Sequence, residues 1–189
     1  RVIDGTGAPA RANQTIVFRD GTIVEIGDTG SVTVPADATT IDLTGKSVIP
    51  GLVMLHEHLY YQATQGVYGQ LGESFTRLYF AGGVTTARTG GNLNGFMDIN
   101  LMRQIERGAK AGPALDATAP YVNGPNTFLQ MQTVNTPEEA RRHVAYWADA
   151  GATSVKAYMN ITRAALGAAI EEAHSRGLKV TGHLCSVTY

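Results

Sequence analysis

Val48-Ile49-Pro50-Gly51-Leu52-Val53-Met54-Leu55-His56-Glu57-His58-Leu59 reads as a strand, because Pro50-Gly51 breaks the chain, an apolar run follows, and the run closes on two histidines one residue apart. Side chains alternate across a strand, so His56 and His58 share one face and Glu57 points to the other. Two imidazoles then converge on one point. They are either two unrelated strand histidines or the start of a site for zinc or a similar ion, since imidazole is among the commonest ligands of such metals. The rest of the chain has to decide.

After Leu52 the pattern becomes strands alternating with helical segments, which predicts a parallel sheet with right-handed crossovers. A Gly- and Tyr-rich loop leads to Phe75, Leu78 and Tyr79 at helical spacing, stopped by Gly82-Gly83. The second strand is Val84-Thr85-Thr86-Ala87, followed by Arg88-Thr89-Gly90-Gly91. A helix over about 98–109 carries Ile99, Met102 and Ile105 on one stripe, with Asp98 as its possible cap. The third strand is expected over 115–122. Thr136-Pro137-Glu138-Glu139 is a capping box opening a helix with Ala140, Val144, Trp147 and Ala148 inward and Gly151 as its stop. The fourth strand is Ser154-Val155-Lys156-Ala157-Tyr158. The last helix, from near Thr162 to Gly177, presents Leu166, Ile170 and Ala173 inward, and a fifth strand over 178–184 brings His183 to its end. Five β/α repeats are thus counted, and no motif recurs at solenoid spacing.

Residues 1–50 read differently, as short strands joined by turns. Asp20-Gly21 between Thr15-Ile16-Val17-Phe18 and Thr22-Ile23-Val24-Glu25-Ile26 is a hairpin signal, and Pro35-Ala36-Asp37 marks a turn before Thr40-Ile41-Asp42-Leu43. Such a segment is too small to bury a good core alone.

The strand that opens on Pro-Gly and closes on His-x-His, with a Val-Lys-Ala-Tyr strand and a Val-Thr-Gly-His strand downstream, resembles the metal-dependent amidohydrolase superfamily, in particular its imidazolonepropionase-like and prolidase-like members. The resemblance runs from Arg1 to Tyr189 but matches only about the first half of a family member. It implies a (β/α)8 TIM-type barrel, of which residues 51–189 supply about the first five β/α units. It also makes residues 1–50 the N-terminal part of a composite β-sandwich, completed by strands that return after the barrel. Where members commonly carry Arg-Asp, this chain has Arg88-Thr89, so any role of that acid is in doubt.

A lysine inside Ser-Val-Lys-Ala-Tyr-Met would leave a desolvated ammonium, at a cost of several kcal/mol unless it is paired, neutralised or modified. The bland alternative is a lysine that snorkels to solvent or pairs with a carboxylate. The resemblance supplies a modification: Lys156 reacts with carbon dioxide to a carbamate that bridges two metal ions. It also makes His183 a ligand, so that the implied metal set is His56, His58, Lys156 and His183, holding Zn2+, most simply two ions, with other divalent metals open. The family's sixth-strand histidine and eighth-strand aspartate, the usual general acid/base, fall beyond Tyr189, so no catalytic acid/base is identifiable in this chain. Tyr60, Tyr61, Arg88 and Tyr121 lie near strand ends and are candidates to line a substrate pocket. His143 and His174 sit on helices and read as packing or surface residues.

The implied chemistry is hydrolysis of an amide- or peptide-type C–N bond by a metal-bridging hydroxide, in a dipeptide, an acylated amino acid or a cyclic amide. A mononuclear deaminase or imidazolonepropionase-type hydrolase, with Lys156 not a ligand, is the rival enzyme reading. A non-catalytic barrel scaffold is the rival of another class.

Composition bounds these readings. The 189 residues fall short of the roughly 250 of a closed eight-stranded α/β barrel, and 16% charged residues is below the usual ~25%. The chain is therefore expected to be a piece whose remaining half, most simply in the same polypeptide, completes the barrel, and a homo-oligomer is expected. A net charge of −1 gives no reason to expect nucleic acid or an anionic membrane as partner, which leaves a small-molecule substrate. There is no apolar run of transmembrane length. A cytoplasmic location is favoured, with a periplasmic or secreted one open if a leader preceded Arg1. The single cysteine, Cys185, follows His183 by two residues and reads as a small core residue.

Overall fold

A computed structural model of the chain describes residues 1–126, 130–183 and 185–187. It divides into two compact units, Arg1–Gly51 and Leu52–Tyr189.

In the first unit, β1 (Gln14–Arg19) and β2 (Thr22–Asp28) pair antiparallel, and the turn between them has Asp20 and Gly21 at φ of 50° and 76°. Two successive left-handed residues give the hairpin turn whose twist matches its strands. Val2, the unit's one buried apolar side chain, bridges both Arg11 and Val48. The turn at Pro35 forms, with Ala38 N–H donating to the Pro35 carbonyl. Residues 40–43 are not a strand: the Asp42 carboxylate accepts from both the N–H and the hydroxyl of Thr44, a local bond that competes with sheet pairing.

The second unit opens with β3 (Leu52–Glu57), the quoted strand. The Gly- and Tyr-rich segment after it is a hairpin rather than a loop. Here β4 (Tyr60–Thr64) pairs with β5 (Val67–Gln70) around Gly66, whose φ of 72° suits glycine. Helix α1 (Gly72–Ala81) packs Phe75 and Tyr79 inward, whereas Leu78 is 64% exposed. Then follow β6 (Val84–Thr89), α2 (Gly95–Glu106), β7 (Ala114–Asp116), α3 (Pro137–Ala150), β8 (Ser154–Ala157), α4 (Arg163–Ser175) and β9 (Lys179–Gly182).

The strands run parallel in sequential order. β6 pairs with β3 and β7, β8 pairs with β9, and single bridges from Thr118 and Val122 to Ser154 and Ala157 join the two groups. The third strand is shorter than 115–122 because Pro120 has no N–H to give a ladder, and pairing beyond Asp116 breaks into isolated bridges. Among the described residues β3 and β9 each have one strand neighbour, so the sheet is an open arc and no closed barrel is seen. The fifth strand's expected end at Leu184 lies outside the described residues.

Two helix starts follow their local chemistry. Thr136 accepts from Glu139 N–H at 3.2 Å, Pro137 sits in the first turn, and Gly151 closes α3 at φ 105°. The Glu139 carboxylate bonds back to Asn135 N–H, one residue before the expected partner. Thr162 caps α4 in the same way, through Ala165 N–H. In α4 the buried stripe is mainly alanine: Ala165, Ala168, Ala169 and Ala173 let the helix lie close to α3 and β8, with Leu166 at the margin.

The core is in two clusters. One joins Leu59, Ile99, Leu101, Met102 and Trp147, and the other Val122, Val144, Val155, Ile161 and the α4 alanines. Fully burying a Val, Ile or Leu side chain contributes about 1.5–3 kcal/mol, so these clusters hold the arc together. The outward face of β3 is not covered, leaving Val53 58% and Leu55 71% exposed. Among the described residues no helix is long and apolar enough to cross a membrane.

Candidate metal centre

The β3 end behaves as its alternation predicts. The His56 and His58 ring centroids are 5.3 Å apart, edge to face, while Glu57 turns the other way and accepts from Tyr79 Oη on α1 at 3.2 Å. The turn after β6 holds the His58 imidazole and the β3 backbone, and packs against the His56 ring. Gly90 N–H donates to the Glu57 carbonyl at 2.7 Å, and the Gly91 carbonyl meets His58 Nδ1 at 3.0 Å. A carbonyl only accepts, so this bond puts the proton on Nδ1 and leaves the Nε2 lone pair of His58 free.

Both glycines are needed there. A Cβ on Gly90 would come within 2.9 Å of His56 Cγ, and one on Gly91, whose φ is 116°, within 2.8 Å of Tyr121 Cζ.

Lys156 arrives from the other side. Every residue of β8 is buried, Lys156 itself being 4% exposed, and among the described residues its ammonium has no acceptor. Desolvation first, and then the Arg88 guanidinium, hold its pKa below the usual lysine value. His183, exposed at the end of β9, meets the Tyr158 ring edge to face with centroids 4.5 Å apart. Burial and then the charges of Lys156 and His58 lower its pKa. His56 is lowered by burial first, then by Lys156, His58, Arg88 and His183. The side chains named from the sequence are therefore near enough for the charges of Lys156, His58 and His183 to act on His56, and those of Lys156 and His58 on His183. As placed, no three His, Cys, Asp or Glu among the described residues stand close enough to hold an ion between them. The donor set still fits a divalent metal in kind: an oriented imidazole with its outer nitrogen free, two further imidazoles kept neutral, and an amine with no competing acceptor.

Of the expected pocket residues, the structure brings two to the histidines. Tyr60 Oη and Tyr121 Oη are 2.6 Å apart, and Tyr121 Oη lies 3.5 Å from His58 Nδ1. Burial raises the Tyr60 pKa to about 12 and that of Tyr121 further, so both act as neutral hydroxyls. The Tyr121 ring continues through Tyr158, at 4.5 Å, to His183, forming one aromatic wall between the two sides. Tyr61 is set apart: it packs against Phe75 of α1 at 4.6 Å. Arg88 runs beneath the site, where its guanidinium meets Ser154 Oγ (3.4 Å), Thr181 Oγ1 (3.2 Å) and the Asp116 carboxylate (3.9 Å), tying β6 to β7, β8 and β9.

Two other expectations change, those for Cys185 and Asp98, while the helix histidines are packing and surface residues as expected. Cys185 is exposed, not a core residue. His143 is buried, its Nε2 donating to the Pro120 carbonyl at 3.0 Å, while His174 is exposed in the last turn of α4. Asp98 is not a cap: α2 begins three residues earlier at Gly95, and Asp98 is 1% exposed with neither carboxyl oxygen hydrogen-bonded. Sequence reading misses its role because an aspartate near a helix start ordinarily caps it.

No family model matches the chain. Imidazolonepropionase from Nocardia farcinica (strain IFM 10152) is 34% identical over 109 residues, which cover 54% of this chain and 26% of that protein. The structure of a protein assigned as a prolidase from Bifidobacterium longum is 28% identical with a TM-score of 0.71, covering 92% of this chain and 45% of that one. These likenesses support placing the chain in the amidohydrolase superfamily. A further amidohydrolase structure superposes with a TM-score of 0.80 over 96% of this chain and 54% of its own, at 19% identity, a likeness of fold alone. The chain spans about half the length of the solved structures it matches.

Proposed function

We propose that this chain is the first part of a metal-dependent hydrolase that cleaves an amide-type C–N bond in a small molecule, such as a dipeptide or an N-acyl amino acid. In this reading residues 51–189 supply about the first five β/α units of an eight-stranded barrel, and residues 1–50 part of a small β-sandwich. The observation that carries it is the electrostatic proximity of three strand-end imidazoles and one buried amine that has no acceptor among the described residues. His56, His58, Lys156 and His183 would hold the metal, Zn2+ first and most simply two ions. Bound there, a divalent ion supplies Lewis-acid polarisation of a carbonyl and lowers the pKa of water toward 7.

The chain's own residues do the rest. Gly91 fixes the tautomer of His58. Desolvation and the Arg88 charge lower the Lys156 pKa and so favour the neutral amine, the form that attacks carbon dioxide. The new N–C bond leaves a carbamate, and the proton lost from nitrogen passes to solvent. A cationic side chain becomes an anionic oxygen donor, which is what a cation site lacking carboxylates needs. Tyr60 and Tyr121, as neutral hydroxyls, can donate hydrogen bonds to a substrate oxygen.

Metal analysis and intact-mass spectrometry of the full-length protein test this reading. Two zinc ions per chain and one carbon dioxide on Lys156 are expected. One metal with an unmodified lysine would favour a cyclic-amide hydrolase or deaminase, a reading supported by the 34% identity to imidazolonepropionase. Purified protein that takes up no divalent metal overturns both.

A further inference from the structure

Beneath the His58 side of the site lies a polar cluster shut off from solvent. Thr89, Asn92, Asp98 and Thr118 are each 1% exposed or less. Most of its bonds are accounted for. Asn92 Nδ2 donates to the Thr118 carbonyl at 2.5 Å, Thr118 N–H donates to Thr89 Oγ1 at 2.9 Å, and the Thr118 hydroxyl donates to the Thr89 carbonyl and lies 2.9 Å from Ser154 Oγ.

Three acceptors are left over: both carboxyl oxygens of Asp98 and Asn92 Oδ1 are buried without a hydrogen-bond partner. Unmet buried acceptors are costly, and an ionised carboxylate costs more than a neutral one. Asn92 and Thr89 lie beside the carboxyl and favour its charged form, but burial outweighs them. Among the described residues no lysine or arginine acts on it, and the titratable groups that feel its charge are Tyr60 and Tyr121, both neutral hydroxyls. One proton on Asp98 resolves the conflict, because it turns an orphan acceptor into a donor beside a second orphan acceptor.

Asn92 is also where the cluster meets the site. Its backbone carbonyl accepts from Tyr121 N–H at 3.3 Å, and its neighbour Gly91 supplies the carbonyl that holds His58 Nδ1. We propose that Asp98 is a positioning residue for His58: as a neutral carboxylic acid it donates its O–H to Asn92 Oδ1 and so fixes the Gly91–Asn92 turn on which the imidazole docks. That His58 matters rests on the functional reading above; that Asp98 orients it does not.

The test uses the full-length protein, first without metal. At about pH 6, below the value near 7 to which burial pushes this carboxyl, the infrared difference between wild type and Asp98→Asn is expected to contain the C=O stretch of a protonated carboxyl. Nitrogen NMR of the histidine rings is expected to show His58 with its proton on Nδ1 in wild type and in Asp98→Asn, whose amide N–H can still donate to Asn92. In Asp98→Leu, of similar size and without a donor, the tautomers should mix, and zinc affinity should fall by roughly 10–100-fold, the usual cost of losing an outer partner of a ligand.

A carboxylate band from Asp98 at that pH, or a His58 tautomer unchanged in Asp98→Leu, overturns the proposal. If the leucine variant does not fold, the infrared comparison of wild type with Asp98→Asn decides by itself. A protein that binds no zinc but shows the protonated band and the tautomer shift would retire the hydrolase reading and leave this one standing.

Discussion

The two arms of the candidate site are held in different ways. Lys156 is fixed by its own strand: β8 is buried at every residue and has strand contacts on both sides. His56 and His58 sit at the end of an edge strand whose outward Val53 and Leu55 are exposed, and they are held instead by a neighbour, the Gly90–Gly91 turn after β6. One arm is fixed by packing and the other by directed hydrogen bonds. The difference teaches that burial makes a lysine easier to deprotonate, whereas an imidazole ligand needs a fixed tautomer and an open nitrogen. Each arm supplies what its donor's chemistry requires.

Lys156→Ala should have the largest effect on function. It removes the one donor that can become anionic, so metal affinity should fall by more than the roughly 10–100-fold typical of an outer partner, with loss of the carbon dioxide adduct from the intact mass. The fold itself should survive, because a buried ammonium without an acceptor stabilises nothing. A variant that keeps its full metal content would break the comparison at its stronger arm.

Asp98 gives the largest effect on stability. Burial raises its folded pKa to about 7 from the ordinary aspartate value of 3.8. Between those values the folded state keeps a proton that the unfolded chain releases, so stability falls as pH rises through the window and levels off above about 7. Asp98→Asn has no such proton to hold. Relative to wild type it should gain about 1.4 kcal/mol for each pH unit crossed, a few kcal/mol in all. Urea denaturation of both proteins at several pH values reads this directly, and parallel curves would mean that Asp98 is already ionised when folded.

Gly90→Ala should come next. The added methyl cannot fit beside the His56 ring, so the ring or the turn must move, and a cost of about 10–100-fold in zinc affinity is expected with little change in the metal-free melting temperature. An equal loss from Gly167→Ala, a helix position with open space around it, would show that the effect is not one of contact.

Much of this was legible in the chain, and the failures share one cause. His-x-His and the lysine inside an apolar strand are local patterns, and alternation alone put His56 and His58 on one face. Thr136 likewise caps where its spacing places it, and the last helix starts at Thr162 as expected. What escaped was set by neighbours distant in sequence. Tyr60 and Tyr61 read as loop residues because only their pairing with Gly69 and Gln70 makes them a strand. Arg88 lies near a strand end in sequence, yet its guanidinium turns below the site toward Asp116, Ser154 and Thr181, on strands up to 93 residues away. Asp98 read as a cap because nothing in its own turn reveals that Asn92 and Thr89 close over it.

The smallest effect tests the packing difference itself. Val155 is 0% exposed in the middle of β8, so Val155→Ala should cost about 2 kcal/mol, combining lost transfer energy with a cavity that the close-packed α4 alanines cannot collapse to fill. Val53 on β3 is 58% exposed, and Val53→Ala in residues 1–189 should stay within about 0.5 kcal/mol. The informative measurement repeats Val53→Ala in the full-length protein. If later strands and helices complete a barrel around β3, the same substitution buries a defect there and its cost should rise toward that of Val155→Ala. If it stays near zero, β3 remains an edge in the whole protein, and the directed bonds from Gly90 and Gly91 are the principal support for the histidine arm rather than a supplement to packing.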